Sequence, residues 1–336
     1  MKTFAYQRAT SVDDAVQAVS ADTDALYLAG GTNLVDLMKL GVRRPRALVD
    51  ISHLPLDHVI HRADGSAVIG ATATNAVVAG DRDIRTNYPV LSESILAGAS
   101  GQLRNSATMA GNLLQKTRCA YFQDISKPCN KRDPGTGCPA RTGAHRDLGI
   151  LGVSSSCIAT QPSDMAVALS ILDAVVHIRG IAGERAVALQ DFYLPPGKTP
   201  DQDTVVQHGE LITEIELPAL PAGAVSRYHK VRDRWSYAFA VVSAAAAVVL
   251  EDDGRIAEAR IAWGGVAPRP WRASIAEAEL RGQKPSKQLF ERAVRAELRH
   301  ATPLPQNAFK VDLVADVTGA LLTDLIRSAE DRRVTR

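Results

Sequence analysis

The sequence has 336 residues, of which 46% are hydrophobic, and a formal net charge of +2. A chain of this length can bury a substantial core and is expected to form two or three domains. The near-neutral charge argues against nucleic-acid binding, and no apolar run reaches the roughly 20 residues that cross a bilayer, so we expect no membrane insertion. The opening residues lack the apolar core of a signal peptide, so we expect the chain to carry no export signal of its own.

Residues 1–55 predict a small βαβ-like subdomain. A short strand and a helix from about Ser11 come first, followed by a strand, a glycine turn, a second helix and another strand. Gly41 is placed to end the second helix, and Pro45 prevents the helix from resuming. The glycine pair of LAGGTN (28–33) can form an anion-binding nest before a helix N-terminus, although a tight turn uses the same residues. The pattern is not G-x-G-x-x-G, so it does not predict a Rossmann fold.

Residues 56–224 predict a larger subdomain of mixed helix and strand. Strand signals appear over 66–80, a helix is expected over 86–100, and an apolar stretch that ends as a strand covers 165–180.

Two stretches within this larger subdomain are suited to contact a ligand. GASGQLRNSATMAGNLLQ (98–115) is dense in small residues, which suits backbone contact with a flat or phosphorylated molecule. In ATQPSDMA (159–166), Asp164 could hydrogen-bond a ribityl or ribose hydroxyl group, or it could cap the turn or helix that follows. Neither stretch is decisive on its own.

The stretch ELPALPAGA (216–224) contains two prolines and predicts a linker. Residues 225–336 beyond it predict a compact α+β domain that opens with a β-hairpin, whose strands join around Asp253 and Gly254. Three helices are expected after the hairpin, at roughly 273–281, 286–299 and 310–330.

All four cysteines lie within 39 residues, at Cys119, Cys129, Cys138 and Cys157. A disulfide framework does not suit a chain of this length that lacks a signal peptide. The spacings match neither the close cysteine pairs of structural zinc sites nor the compact ferredoxin patterns. Spacing alone therefore leaves zinc and iron–sulfur chemistry open. His145 could complete a mixed zinc site, although a surface histidine is the simpler expectation.

Taken together, five segments resemble the FAD-binding subunits of the xanthine dehydrogenase and molybdenum hydroxylase family over almost the whole chain. They are AGGTNLVDLMK, GQLRNSATMAGNLL, PSDMAVAL, HGELITEIELP and YHKVRDRWSYAFAVVSAA. The resemblance is closest to the flavoprotein subunit of bacterial, periplasmic, heterotrimeric aldehyde oxidoreductases. It implies an α+β chain with two parts: the two-part FAD-binding fold of the vanillyl-alcohol oxidase (PCMH) type over 1–224, and a C-terminal domain of the carbon monoxide dehydrogenase flavoprotein type over 225–336.

The resemblance also implies which residues bind FAD. Thr108 and Gly111 are expected to contact the cofactor, Asp164 to bind its hydroxylated chain and Ile212 to pack against a ring. Lys230 is expected near the isoalloxazine edge, where a cation stabilises a reduced, anionic flavin. Relatives carry an aromatic residue where this chain has Gly98, so a contact there is not expected to be kept. The expected pyrophosphate loop consists of Leu26, Tyr27, Leu28, Ala29, Gly30, Gly31, Thr32, Asn33 and Leu34.

The same resemblance implies that 116–158 is an insertion whose four cysteines bind a [4Fe-4S] cluster. Most relatives have about ten residues between two motifs that in this chain end at Asn112 and begin at Ser163. Here 50 residues lie between them. Residues 116–147 carry seven basic and three acidic side chains. This excess of positive charge suits a cluster that carries roughly −2 when oxidised and −3 when reduced.

The implied function is that of an FAD- and [4Fe-4S]-containing electron-transfer subunit of a molybdenum-dependent aldehyde oxidoreductase. Electrons would come from [2Fe-2S] centres in a small partner subunit and leave through FAD to an external acceptor. A large molybdenum-cofactor subunit would oxidise the aldehyde, so no catalytic residue is assigned in this chain.

Two alternatives remain open: a self-sufficient flavin reductase of the same fold, and a zinc-structured binding module without flavin. The expected location is the periplasm, by co-export with a partner subunit that carries a twin-arginine signal, with the cytoplasm as the alternative.

Overall fold

The computed structural model describes residues 1–334, which form three β-sheets with helices packed around them. The strands are β1 (Ala5–Arg8), β2 (Ala25–Leu28), β3 (Ala47–Asp50), β4 (Val59–His61), β5 (Ala67–Gly70), β6 (Val175–Gly180), β7 (Gly183–Ala188), β8 (Leu211–Leu217), β9 (Val225–Val231), β10 (Val242–Leu250), β11 (Ile256–Gly264) and β12 (Trp271–Arg272). The helices are α1 (Val12–Ala21), α2 (Leu34–Lys39), α3 (Asn75–Gly80), α4 (Arg82–Asn87), α5 (Pro89–Ala97), α6 (Gly101–Ser106), α7 (Met109–Leu113), α8 (Ala120–Gln123), α9 (Asp164–Ile171), α10 (Leu189–Phe192), α11 (Ser274–Leu280), α12 (Lys287–Leu298) and α13 (Phe309–Val334). Within residues 1–334, no helix is both long and apolar enough to cross a membrane.

The first sheet is parallel, with β3 between β1 and β2. Helix α1 begins where Ser11 Oγ accepts a hydrogen bond from the Asp14 amide at 3.1 Å, and its Val16 and Val19 side chains are buried. Helix α2 ends before Gly41, which has a φ of 75° that glycine adopts without strain. The predicted order of strands and helices in this region is confirmed.

The second sheet has five antiparallel strands in the order β4-β5-β8-β6-β7. One sequence prediction was partly wrong here. The strand signal over 66–80 covers only β5, because Thr74 Oγ1 caps α3 and the later apolar residues are helical. The predicted strand at the end of 165–180 is confirmed as β6, and the first half of this stretch lies in α9, which Ser163 caps at the Ala166 amide. All eight residues of α9 are buried, so its sequence lacks the polar face that marks a helix.

The third sheet is antiparallel, in the order β12-β11-β10-β9, and α13 packs against β9 and β10. The predicted hairpin is confirmed, with Gly254 at a φ of 82° between β10 and β11. The three predicted C-terminal helices are confirmed as α11, α12 and α13. Helices α5 and α9 also contact this sheet, and their buried residues belong to the same hydrophobic core as those of β6 and β8. The third sheet begins at Val225, directly after the predicted linker.

The segment 116–158 contains only α8 and one 3-10 turn. Residues at and just before the start of α13 hold this segment, because Lys310 Nζ donates to the Leu148 carbonyl at 3.1 Å and the Gln306 amide donates to His145 Nε2 at 3.1 Å. His145 is therefore buried, and the expectation of a surface histidine was wrong. The cysteine-rich segment is packed against both halves of the chain.

Candidate cofactor site

A cleft of about 220 Å³ lies where the glycine-rich stretches meet the third sheet. Its lining includes residues from the first glycine turn, the second glycine-rich stretch, the start of α9 and the end of β9. Among them are Thr32, Asn33, Gly98, Gly111, Asp164 and Lys230. The structure thus brings together five of the predicted FAD-binding residues, and it adds Gly98 as a part of the same wall.

The two glycines of the first turn are required for different reasons. A Cβ on Gly30 would lie 1.7 Å from the carbonyl oxygen of Ser106, and the Ser106 hydroxyl donates to the Gly30 carbonyl at 2.8 Å. Gly31 has a φ of 69°, which is in the left-handed region. The first turn therefore packs closely against the second glycine-rich stretch, and Thr32 and Asn33 before α2 line the cleft.

Three residues that line the cleft carry buried polar atoms without a hydrogen-bond partner. They are Asn33 Nδ2, Asn75 Oδ1 and Arg118 Nε. The other amide atom of Asn33 is already used, since Asn33 Oδ1 accepts from the Lys116 amide at 3.1 Å. An unpaired buried polar atom costs about 1–3 kcal/mol. Two free donors and one free acceptor therefore fit a polar, phosphate-bearing ligand, and FAD is such a ligand.

An ion pair between Lys230 and Asp164 forms one wall of the cleft. Lys230 Nζ lies 2.8 Å from Asp164 Oδ2, and its side chain is 4% exposed. Tyr228 donates its hydroxyl to Asp164 Oδ1 at 2.5 Å, and burial together with this carboxylate raises the pKa of Tyr228 well above 10. Ser163, rather than Asp164, caps α9 through its hydroxyl group. The Asp164 carboxylate is therefore held between two donors at the cleft wall.

Gly98 lies beside this carboxylate, where relatives are expected to have an aromatic residue. A Cβ on Gly98 would be 3.3 Å from Asp164 Oδ2. A larger side chain at this position would press against the Asp164–Lys230 ion pair. Because Gly98 has no side chain, the space beside the Asp164 carboxylate stays open.

Other predicted residues lie outside the cleft lining. Ile212 is 1% exposed in β8, opposite Ile178 of β6. Thr108 is buried and caps α7 through its Oγ1, which accepts from the Gly111 amide at 3.3 Å. Tyr27 donates to the Gly209 carbonyl at 2.8 Å. Gly30, Gly31, Leu26, Leu28, Ala29 and Leu34 also lie outside the lining. The roles of all the predicted residues towards FAD stay predictions.

Sequence reasoning missed Asn75 and Arg118. Asn75 opens α3, far along the chain from either glycine-rich stretch. Arg118 stacks its guanidinium 4.9 Å from the centre of the Phe239 ring and lies 3.4 Å from Asp36 Oδ2. The residue next to Arg118 is Cys119, so the cleft and the cysteine segment adjoin.

The four cysteines line one small cavity and form no disulfide. Three of them are buried and Cys138 is half-buried. Burial raises the pKa of the Cys119 thiol. It also raises the pKa of the Cys157 thiol, to about 11, although the nearby Lys131 ammonium opposes this rise. The Ala159 amide donates to Cys157 Sγ at 3.4 Å. The thiols of a 39-residue segment are thus gathered around a common space.

Within the part of the chain that the structure describes, no group of three or more His, Cys, Asp or Glu side chains is arranged to hold a metal ion. A single zinc ion would need its sulfur ligands within about 2.3 Å of one point. The four thiols surround a cavity instead, and His145 is not part of its lining. A mixed Cys/His zinc site therefore has no support in this geometry.

Comparisons with known proteins identify the family of both halves. Residues 2–220 match the family described as the FAD binding domain in molybdopterin dehydrogenase, and residues 226–325 match the CO dehydrogenase flavoprotein C-terminal domain. The chain is 45% identical over 325 residues to the aldehyde oxidoreductase FAD-binding subunit PaoB of Escherichia coli (strain K12), covering 96% of this chain and 98% of the relative. It is 27% identical over 333 residues to the carbon monoxide dehydrogenase medium chain of Afipia carboxidovorans, covering 98% and 97%.

Solved structures have the same fold. The reconstituted CO dehydrogenase from Oligotropha carboxidovorans matches with a TM-score of 0.76 at 23% identity, over 97% of this chain and 98% of that one. Quinoline 2-oxidoreductase from Pseudomonas putida 86 matches with a TM-score of 0.75 at 23% identity, over 98% and 99%. The chain therefore combines an FAD-binding fold with a CO dehydrogenase flavoprotein C-terminal fold, and it belongs to the FAD-binding subunits of the xanthine dehydrogenase family.

Proposed function

We propose that this chain is the FAD- and [4Fe-4S]-containing electron-transfer subunit of a molybdenum-dependent aldehyde oxidoreductase. The observation that carries the proposal is the convergence of both glycine-rich stretches and the Asp164–Lys230 pair on one cleft. The 45% identity to an aldehyde oxidoreductase subunit, against 27% to a carbon monoxide dehydrogenase chain, supports an aldehyde as the substrate of the whole complex. The partners would be a large molybdenum-cofactor subunit and a small [2Fe-2S] subunit, in a heterotrimer.

The cleft residues have distinct tasks towards FAD in this proposal. When bound, FAD would supply one- and two-electron redox chemistry. The turn at Gly30 and Gly31 allows close backbone approach to a pyrophosphate, and Asn33 Nδ2 and Arg118 Nε are donors without other partners. Asp164 accepts hydrogen bonds from hydroxyl groups that reach the cleft wall. Lys230 keeps a positive charge at that wall, which favours an anionic ligand state.

The four cysteines would hold the [4Fe-4S] cluster. They are soft donors, none is in a disulfide, and they surround one cavity. A cluster of several irons can bind each thiolate at a different iron, so its ligands need not meet at one point. Lys131 lies in the same lining and supplies positive charge beside the thiols.

The experiment is to purify the chain alone and together with its partner subunits, and to measure FAD, iron and acid-labile sulfide per chain. We expect one FAD and one four-iron cluster in each chain. Aldehyde turnover should appear only with the partners, because no hydroxylating centre is proposed in this chain. Aldehyde oxidation by the lone chain would favour a self-sufficient flavoenzyme, and zinc without iron or sulfide would contradict the cluster.

We also propose a periplasmic location by co-export with a partner subunit, supported by the resemblance to periplasmic aldehyde oxidoreductases. Fractionation of cells that express all subunits tests this location. Deleting the partner's export signal should leave this chain in the cytoplasm. Recovery of the assembled complex from the cytoplasm of cells with intact export would contradict the proposal.

A further inference from the structure

Lys131 is a buried ammonium on the wall of the cysteine cavity. Its side chain is 6% exposed, and its Nζ donates to the Pro200 carbonyl at 2.6 Å and forms an ion pair with the Asp203 carboxylate. A charge that is removed from water is costly unless it has partners or serves a ligand. The cavity lining contains Lys131 and all four cysteines but neither Asp nor Glu, and the Lys131 ammonium is near enough to Cys157 to oppose the rise of that thiol's pKa.

Asp203 joins this lysine to a second one. Lys116 Nζ lies 2.6 Å from Asp203 Oδ2. Burial alone would raise the pKa of Asp203, but the two lysines outweigh burial and lower it, so the carboxylate is ionised. The three groups together carry a net charge of +1. We call them the lysine–aspartate triad: Lys116, Lys131 and Asp203.

The two lysines differ in their position relative to the cysteine cavity. Lys131 lines the cysteine cavity, whereas Lys116 does not, and the Lys116 amide donates to Asn33 Oδ1 at the cofactor cleft. Both lysines belong to the cysteine-rich segment, whereas Asp203 belongs to the loop that follows Tyr193. In that loop, the Leu194 amide donates to the Asp203 carbonyl at 3.0 Å. Asp203 therefore fixes Lys131 at the cavity from outside the segment.

We propose that Lys131 is a positioning residue that sets the reduction potential of the cysteine-bound cluster, and that Asp203 limits the strength of its effect. This inference rests on the proposed [4Fe-4S] cluster. Reduction adds one negative charge at the cavity, so a fixed positive charge in its wall stabilises the reduced form. The ionised Asp203 on the far side of the ammonium acts in the opposite direction and keeps the lysine in place.

The test is an anaerobic redox titration of the full chain in its complex, in which the reduced cluster is followed by EPR and the flavin by its visible absorption. Lys131→Met should lower the midpoint potential of the cluster. At a fixed potential, the ratio of reduced to oxidised cluster should fall at least tenfold. This corresponds to a shift of the midpoint potential of about 59 mV for a one-electron couple. Lys131→Arg keeps the charge and should titrate close to the wild type.

Two further variants separate electrostatics from damage to the fold. Asp203→Asn removes the opposing charge and should shift the cluster midpoint in the positive direction, opposite to Lys131→Met. Lys116→Met removes an ion pair with the same carboxylate but no group of the cavity wall, so it is the matched control and should shift the cluster ratio less than threefold. The flavin midpoint should stay unchanged in Lys131→Met.

The outcomes distinguish the role of Lys131 from the proposed [4Fe-4S] cluster on which it rests. A wild-type chain without iron and sulfide contradicts the cluster itself. A wild-type chain with a full cluster, together with an unchanged midpoint in Lys131→Met, overturns the role of Lys131 alone. If Lys131→Met does not retain the cluster, Asp203→Asn decides: a positive shift supports the inference, and no shift or a negative shift overturns it.

Discussion

The backbone of Gly30 lies against the backbone of Ser106, so closely that a Cβ on Gly30 would sit 1.7 Å from the Ser106 carbonyl oxygen. This contact joins the two glycine-rich stretches that line the cofactor cleft, although 76 positions separate them. The requirement for glycine at this position is therefore set by the fold itself as well as by any ligand.

The first prediction follows from this contact. Gly30→Ala should force the two stretches apart, because the clash is with backbone that cannot rotate away, at a cost of about 1–3 kcal/mol. FAD retention after gel filtration and the midpoint of thermal unfolding should both fall. Gly101→Ala, in the second glycine-rich stretch, is the matched control, since a Cβ there meets no atom within 4 Å. Full FAD occupancy and wild-type stability in Gly30→Ala would contradict the assigned contact.

The second prediction concerns the ion pair at the cleft wall. Lys230→Met leaves Asp164 buried without its cation, which costs about 3–5 kcal/mol when the remaining charge stays buried. In the assembled complex, flavin reduction or reoxidation should slow. Aldehyde-driven bleaching of the [2Fe-2S] centres that we propose for the partner should stay intact, because that step comes earlier. Stopped-flow absorption separates the two signals.

Tyr228→Phe is the control for this second prediction. It removes a hydrogen bond to the same carboxylate but leaves the cation of the cleft in place. Its flavin kinetics should stay closer to the wild type than those of Lys230→Met. Equal slowing of both variants would show that the carboxylate's position, rather than the lysine charge, controls the flavin.

The third prediction tests the cysteine cavity. Serine in place of Cys119, Cys129, Cys138 or Cys157 should lower iron and acid-labile sulfide and loosen the surrounding segment, because metal binding in such loops is coupled to their folding. Ser126→Ala is the control within the same segment, since Ser126 bonds only to the nearby Asp124 at the surface. Iron content that survives all four substitutions would contradict the ligand assignment.

Local features of the fold could be predicted from the sequence, and long-range ones could not. Gly41 and Gly254 have a positive φ, and the residues around each of them indicate a turn in the sequence. Both turns were predicted. Helix α9 was not, because a helix buried on every side has no polar face to give a period.

In the candidate site, too, local features could be predicted from the sequence and long-range ones could not. The glycine turn and Asp164 were found from short motifs. Asn75 and Arg118 carry no motif, and only the packing of distant segments places their unpaired atoms at the cleft. The ion pair between Lys131 and Asp203 joins residues 72 positions apart, which no local pattern indicates.

The last prediction concerns Lys310, which is fully buried at the start of α13 and donates to the carbonyls of Leu148 and Gly265 at 3.1 and 2.7 Å. Burial lowers its pKa from 10.5 to about 8. Below pH 8 the folded chain therefore holds a buried ammonium, at a cost that the unfolded chain does not have. Between about pH 8 and 10.5 the folded chain loses this proton while the unfolded chain keeps it. The contribution of Lys310 to the free energy of unfolding should therefore rise with pH across this window, by about 3 kcal/mol in total.

Lys310→Met should remove this rise, and Lys284→Met, at an exposed lysine, should not. The measurement is urea unfolding at several pH values from 7.5 to about 10.5, where the difference between wild type and variant cancels the groups that both share. Relative to Lys310→Met, the wild type should gain stability as the pH rises, because only the wild type sheds a buried charge. A difference that stays flat across the window, or that moves against the wild type, would mean that the Lys310 ammonium is stabilised by its two carbonyl partners well enough to keep its ordinary pKa.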